Sequence, residues 1–213
     1  MSFRIKIFSF ELELRVTGMT TQEAERFVKR LFAEKLKPEF TFHNLQHTLN
    51  VTSAASQLCV LGNCSEKEKE IVRLAALFHD TGFTRVYSYH EEESIHIAST
   101  YLTRHGYPER DLEQVVKCIH STRHGVGAKT KLEKIIQDAD MAHLSNKNYF
   151  KLLSDLREEL RLLQDQDFTD QEWYKQNLGF LLQHTYKTDS AKALWDEMKA
   201  KNIQENRQLL AFL

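Results

Sequence analysis

The chain has 213 residues, a length typical of one domain or of one large domain with small extensions. It contains only 7 glycines and 2 prolines, so the composition favours long helices and excludes a turn-rich β fold. Lysine and arginine total 29 against 30 acidic residues, and a net charge of -1 provides no overall field that attracts nucleic acid or an anionic membrane.

The cysteines and the hydropathy pattern indicate the compartment. Cys59, Cys64 and Cys118 are odd in number and show no C-x-x-C spacing, which favours reduced thiols and a cytoplasmic chain and disfavours a thiolate zinc site. No apolar run approaches the ~20 residues that a membrane-spanning helix needs. We therefore expect a soluble protein without a membrane partner.

Residues 1–19 are predicted to form an N-terminal arm. Apolar and polar residues alternate there in two registers, which is typical of a short extended segment with a bulge. Three arrangements stay open: the arm pairs with itself, pairs with a second chain in a homodimer, or is disordered.

Residues 20–213 are predicted to form one all-α domain with a C-terminal helical extension. A Ser or Thr followed three residues later by Glu is a capping box, and this pattern predicts helix starts at Thr20, Ser65 and Thr169. Gly106 is expected to end one helix. In the amphipathic helix Tyr149–Leu163, charges such as Arg157, Glu158 and Glu159 are most simply interpreted as the solvated face.

The stretch Leu74–Gly82 is an apolar helical run that ends in His79 and Asp80, with Gly82 suited to a helix C-cap. A carboxylate at that end meets the negative end of the helix dipole, and its burial adds a desolvation cost. A bound divalent cation would compensate both effects. The alternative is that Asp80 only turns the chain into Gly82.

Two further histidines and two aspartates are candidates for the same chemistry. His43 and His47 are four residues apart and would share one helix face, which suits two metal ligands or one ligand with a neighbouring proton donor. Asn44 follows His43 where the zinc-protease pattern HExxH requires Glu, so a protease is disfavoured. Asp138 and Asp140 lie two residues apart in the apolar helix Leu132–Leu144, so we expect only one to face a shared site.

The order of His47, His79-Asp80 and a later aspartate, H…HD…D, resembles the HD superfamily of metal-dependent phosphohydrolases. The similarity covers much of residues 42–140, and the segment 180–188 resembles a subgroup of predicted HD phosphohydrolases. The resemblance implies an all-α HD-domain bundle and a catalytic role for Asp80. It implies a metal held by His47, His79, Asp80 and Asp140, since Asp140 and not Asp138 matches the ligand that follows an Ala-like residue.

The segment Phe42-His43-Asn44-x-x-His47 also resembles the corresponding segment of cyclic-nucleotide phosphodiesterases, which belong to the same superfamily. In those enzymes the first histidine donates a proton, so the resemblance implies general-acid catalysis by His43. The rest of the phosphodiesterase pattern is not evident here, and cyclic nucleotides are not specified as the substrate.

Some HD enzymes hold a second metal with additional histidines. Candidates here for a second metal or for phosphate binding are His90, Glu91, His120, Arg85, Arg123 and Lys129. The alternative for each of these residues is ordinary solvated charge. The loop 123–131 contains Gly-Ala-Lys-Thr but lacks the full P-loop spacing and follows a helix, so we reject a P-loop.

Two imidazoles and two carboxylates favour Mn, Fe, Co, Ni or Mg as the divalent metal ion, and Zn also binds such sets. The function predicted is hydrolysis of a phosphomonoester or phosphodiester of a nucleotide or another small phosphorylated metabolite. The alternative is a catalytically silent HD fold that binds a nucleotide or a protein as a regulator. Presence of the whole ligand set favours catalysis.

Overall fold

The computed structural model describes residues 21–213, and the predicted arm, with the capping box at Thr20, lies outside that range. The described residues contain no strand, which confirms the predicted all-α class. Nine α-helices and two 3-10 turns make up this part of the chain. The helices are α1 (Thr21–Lys35), α2 (Leu45–Leu61), α3 (Glu66–Phe78), α4 (His90–Arg104), α5 (Glu109–Ser121), α6 (Lys131–Asp140), α7 (Tyr149–Gln164), α8 (Asp170–Gln183) and α9 (Asp189–Phe212).

The main hydrophobic core is built around α3, which packs against α1, α2, α4, α5 and α6. Every residue from Leu74 to Asp80 is at most 3% exposed. A helix that is apolar on all sides is buried in the centre of a bundle. The burial of α3 therefore carries His79 and Asp80 into the interior of the protein.

A second, smaller core is formed by residues of α7, α8 and the 3-10 turn Met141–Ser145. Tyr149, Leu153, Trp173 and Leu181 are its buried members from the helices. Met141 packs against both cores, so the C-terminal extension is attached directly beside the end of α6.

The helix ends agree with the capping predictions except at Gly82. Capping boxes begin α3 at Ser65 and α8 at Thr169, and Gly106 follows α4 with a φ of +71°. Gly82 is not a C-cap, because α3 ends at Phe78 and Gly82 lies in the 3-10 turn Thr81–Thr84. A Cβ at Gly82 would lie 1.9 Å from the carbonyl oxygen of His90, so glycine allows α4 to begin against this turn.

The state of the cysteines and the hydropathy of the helices can also be compared with the sequence predictions. All three cysteines are unpaired and buried. Within residues 21–213 no helix is both long enough and apolar enough to cross a membrane.

Candidate metal centre

Four side chains predicted as metal ligands converge where three helices meet. His47 lies in the first turn of α2, His79 and Asp80 follow α3, and Asp140 ends α6. His47 Nε2 lies 3.2 Å from Asp140 Oδ1 and 3.4 Å from Asp80 Oδ2. His79 Nε2 lies 3.1 Å from Asp80 Oδ2 and 3.5 Å from Asp140 Oδ1. One ligand atom from each of His47, His79 and Asp80 lies within 4.8 Å of the others, and Asp140 contacts both histidines.

The donor atoms are arranged to bind a cation. His79 Nδ1 donates to the carbonyl oxygen of Ala76 at 2.8 Å, so in the neutral ring Nε2 carries the lone pair. Nε2 and Asp80 Oδ2 are buried and neither makes a hydrogen bond within the described chain. Buried polar atoms without partners are costly, and a shared cation would satisfy both. The set of two imidazoles and two carboxylates therefore fits a divalent metal ion.

Without a cation, the charges of the cluster stabilise one another. Burial opposes the charged form of His79, but the charge of Asp80 raises the pKa of His79 well above its usual value. Burial likewise opposes ionisation of Asp80, yet the charge of His79 holds the Asp80 pKa well below its usual range. A metal ion that binds here must displace the proton of His79, so metal affinity rises with pH.

His43 lies beside this cluster. The prediction that it shares a helix face with His47 is wrong. It precedes α2, because Asn44 is the N-cap and its side chain accepts hydrogen bonds from the backbone N–H groups of Gln46 and His47. His43 and His47 therefore do not share a helix face. Their ring centroids are nevertheless 5.8 Å apart, because the chain bends at Asn44.

Glu159 of α7 holds His43 in place. Glu159 is 0% exposed, so the prediction that it belongs to the solvated face of its helix is wrong. Its Oε2 accepts hydrogen bonds from the backbone N–H groups of Phe42 and His43 at 2.8 and 2.9 Å. Its Oε1 pairs with His43 Nδ1 in a short contact. Burial lowers the pKa of His43, but this hydrogen bond, aided by the Asp80 charge, leaves the pKa raised above its usual value.

His143 is a second residue near the centre that the sequence interpretation missed. Its Nδ1 donates to the carbonyl oxygen of Asp140 at 2.9 Å, and its ring centroid lies 6.3 Å from that of His47. Burial, followed by the charge of His47, lowers the pKa of His143 to about 4, so the ring is neutral near pH 7. His143 follows Asp140 by three residues, and this spacing was the signal in the sequence that could have identified it.

The candidates for a second metal or for phosphate binding lie at different distances from the centre. His90 Nε2 lies 3.6 Å from Asp80 Oδ1, so His90 adjoins the centre, whereas buried Glu91 contacts His90, at 3.6 Å from its Nδ1. Arg123 pairs with Glu92 and also lines a small cavity that reaches Asp140. The remaining candidates, His120, Arg85 and Lys129, are exposed, and no described contact links them to the ligands.

The two neighbouring aspartates of α6 have different environments. Asp138 is 0% exposed and accepts hydrogen bonds from the backbone N–H groups of Lys187 and Thr188, both at 2.8 Å. The Thr188 hydroxyl also donates to Asp138, and it caps α9. Asp138 therefore fixes the segment before α9, whereas Asp140 faces His47 and His79.

This difference predicts opposite outcomes for two matched variants. We expect Asp138→Asn to lower the free energy of unfolding by about 2 kcal/mol, because a buried carboxylate loses charge-assisted hydrogen bonds. It should keep bound metal. Asp140→Asn should lose metal with a smaller change in the stability of the metal-free protein. Denaturant titration and metal analysis of both variants check this, and loss of metal from Asp138→Asn alone would reverse the assignment.

Comparison with known proteins relates the fold to the HD domain family. Residues 44–144 match the HD domain family. The crystal structure of a predicted HD superfamily hydrolase from an uncultured Thermotogales bacterium resembles the fold with a TM-score of 0.62 and 20% sequence identity, over 89% of this chain and 91% of that chain. No curated protein matches the sequence significantly.

Proposed function

We propose that this chain, which carries an HD domain over residues 44–144, is a metal-dependent phosphohydrolase acting on a nucleotide or another small phosphorylated metabolite. One observation carries the proposal: unpartnered buried donor atoms of His79 and Asp80 lie together with His47 and Asp140. Burying these carboxylates is costly, and a bound divalent cation would offset that cost. We propose Mn, Fe, Co, Ni or Mg as that cation, with Zn also accepted.

The ligands of the proposed cation are His47, His79, Asp80 and Asp140. When bound, a divalent cation supplies Lewis acidity that polarises a phosphoryl oxygen and lowers the pKa of water. Asp80 has a second oxygen, Oδ1, which faces His90 Nε2 at 3.6 Å. We propose that Oδ1 accepts a hydrogen bond from the attacking water, which gives Asp80 its catalytic role.

His43 is proposed as the proton donor for the leaving oxygen. Its Nδ1 is engaged by Glu159, so Nε2 is the nitrogen that remains to donate a proton to substrate. The hydrogen bond to Glu159 raises the pKa of His43, which favours the protonated ring that a general acid requires. Glu159 is a positioning residue, because it sets the tautomer and the orientation of His43 without reaching the substrate.

A basic cavity that Asp140 also lines suits the anionic part of a substrate. It has a volume of about 160 Å³, and its lining includes Arg123 and Lys187 together with His124 and His184. Arginine and lysine side chains are typical phosphate ligands. We propose that non-bridging phosphoryl oxygens, or a second phosphate group, face this cavity.

A substrate screen tests the proposal. The purified protein, supplied separately with each of the six metals, is assayed for phosphate or nucleotide release from mononucleotides, dinucleoside polyphosphates, cyclic nucleotides and generic phosphoesters. We expect turnover of at least one class with one or more metals. Ligand binding without turnover under every metal condition would instead favour the silent regulator.

The role of Glu159 predicts a change in pH dependence. Activity should fall as the pH rises through the pKa of His43, because only the protonated ring donates. Glu159→Gln removes the charge that raises this pKa, so the alkaline limb of the kcat profile should move to lower pH.

Glu158, the residue before Glu159, provides a matched control for Glu159→Gln. Glu158 is on the surface of α7 and pairs with Arg161 at 2.8 Å, so Glu158→Gln should leave the pH profile unchanged. A purely structural role for Glu159 would lower stability and activity at all pH values without moving the limb.

A further inference from the structure

A buried lysine supports one wall of the basic cavity described above. Lys199 of α9 is only 7% exposed, and within residues 21–213 it forms no ion pair with a carboxylate. Burial lowers the pKa of Lys199, and the charge of Asp196 acts in the opposite direction. Lysine is almost never buried without a partner, because removing an unpaired charge from water is costly. Other groups must therefore stabilise this ammonium group.

The partners of Lys199 belong to the segment between α8 and α9. Its Nζ donates to the carbonyl oxygen of His184 in a short contact, and it lies 3.4 Å from His184 Nδ1. The same Nζ lies 5.4 Å from the centroid of the Tyr186 ring. The face of an aromatic ring attracts a cation, so these contacts suit the charged form of Lys199.

These contacts fix the tautomer of His184. An ammonium group has three donors and no acceptor, so the ring atom that faces it, Nδ1, carries the lone pair of the neutral imidazole. The ring proton is then on Nε2. Burial, followed by the charges of Lys199 and Lys187, lowers the pKa of His184 to about 4, so the ring is neutral near pH 7. His184 therefore offers one N–H donor, at Nε2.

The free edge of the His184 ring faces the basic cavity. His184 lines this cavity together with Phe180 and Asp140. Its Nε2 makes no hydrogen bond within residues 21–213 and is not enclosed by them. The ring stacks with Phe180 at a centroid distance of 6.2 Å, and Tyr186 meets it edge-on at 4.7 Å. These contacts direct the N–H donor into the space beside Asp140.

His184 differs from the other donors of the cavity in its charge and its rigidity. Arg123 pairs with Glu92 in a short contact, and Lys187 is exposed. Each of these long side chains must give up a carboxylate or solvent, and must lose rotamer freedom, to bind an anion. An imidazole N–H that is already fixed loses little entropy, and such preorganised donors stabilise oxyanions effectively.

We propose that His184 donates a hydrogen bond from Nε2 to a non-bridging phosphoryl oxygen of the substrate, and that Lys199 is the positioning residue that fixes this donor. The proposal rests on the phosphohydrolase function proposed above and deepens it, because it names a group that orients the phosphate beside Asp140. It also gives a function to the segment between α8 and α9, which lies beyond residues 44–144.

Nitrogen NMR of the histidine rings tests the donor without requiring turnover. The protein is labelled with ¹⁵N-histidine and supplied with Mg²⁺, which is diamagnetic, and the His184 signals are identified by their loss from His184→Gln. We expect the proton on Nε2 and the lone pair on Nδ1 at neutral pH. Inorganic phosphate should shift the Nε2 signal in a saturable way. A proton on Nδ1, or no response of His184 to phosphate, overturns the proposal.

Two lysines of α9 provide matched variants. Lys199→Met removes the ammonium group and should raise the Kd of inorganic phosphate by about 10-fold or more, within the range of a hydrogen bond to a charged group. Lys201 is exposed and pairs with Glu197 at 2.7 Å, so Lys201→Met should leave this Kd unchanged. Equal effects of the two methionine variants would contradict the positioning role of Lys199.

The location of the donor separates a binding role of His184 from a structural one. The side-chain amide nitrogen of glutamine reaches about as far as Nε2 of histidine, whereas that of asparagine reaches only about as far as Nδ1. His184→Gln should therefore keep most of the phosphate affinity, and His184→Asn should raise Kd by about 10- to 100-fold. Equal losses of affinity that follow the free energy of unfolding would overturn the binding role. If Lys199→Met does not fold, these two variants and the tautomer of the unaltered protein still decide the proposal.

The outcomes distinguish this proposal from the proposed function. A response of His184 to phosphate that Lys199→Met weakens, with no ester hydrolysed under any metal condition, supports the donor and overturns the phosphohydrolase. Hydrolysis of an ester by a protein whose His184 does not respond to phosphate overturns the donor and leaves the phosphohydrolase in place.

Discussion

Asp80→Ala is expected to remove the bound metal and to reduce phosphate release to the background rate. The carboxylate of Asp80 contacts His47, His79 and His90, so its loss removes the member that connects these histidines. The substitution also removes the negative charge that offsets the cost of burying His79 in its charged form. Loss of an outer-shell partner typically lowers metal affinity 10- to 100-fold, and we expect more than about 100-fold for this ligand.

The measurement is elemental analysis of purified, dialysed protein, beside the activity of the same preparation. Asp189→Ala is the matched control, since Asp189 is fully exposed in the first turn of α9 and pairs only with Lys192 in the described contacts. That variant should retain metal and activity. Stoichiometric metal in both Asp80→Ala and His79→Ala would place the centre elsewhere in the protein.

The convergence of His47, His79, Asp80 and Asp140 could be expected from sequence because three of them break local rules and because their order resembles that of the HD superfamily. His79 and Asp80 end a run that is apolar on all sides, and Asp140 ends an apolar helix, so each is a polar group where burial is otherwise expected. Such exceptions need compensation, and the resemblance of the order H…HD…D to the HD superfamily implied that these residues share one site with His47. The helical class followed in the same way from the few glycines and prolines and from the capping boxes.

The supporting residues could not be predicted in this way, because their partners are distant in sequence. Glu159 reaches His43 across 116 residues, and Asp138 reaches Lys187 and Thr188 across about 50. A helical pattern shows only which neighbours a side chain has on its own helix. At Glu159 that pattern carried a signal, since Leu152, Leu156 and Leu163 are its neighbours one or two turns away.

His43 and Gly82 were singled out from the sequence, but the local structure predicted for each of them is wrong. The histidine spacing was interpreted as a shared helix face, but Asn44 begins the helix after His43, and the bend brings the rings together. Gly82 was interpreted as a C-cap, but close packing against the His90 carbonyl requires it. In both cases the residue is needed for a tertiary contact that periodicity does not encode.

His43→Asn should retain the metal and lower kcat by roughly 10²- to 10⁴-fold, the range expected for loss of a general acid. His43 is held by Glu159 and lies next to the ligands, but its ring makes no close contact with their donor atoms among the described ion pairs. The substitution therefore removes a proton donor and leaves the cluster of His47, His79, Asp80 and Asp140 in place. His96→Asn, on the exposed face of α4, is the matched control and should leave kcat unchanged.

The leaving group of the substrate distinguishes the roles that His43 can have. A p-nitrophenolate leaving group hardly needs protonation, so the loss of kcat in His43→Asn should be much smaller with p-nitrophenyl phosphate than with an alkyl phosphate. If His43 were a metal ligand, metal content and the rates with both substrates would fall together. An equal loss of rate for good and poor leaving groups, with the metal retained, would contradict proton donation, because the proton then has no part in the step that limits the reaction.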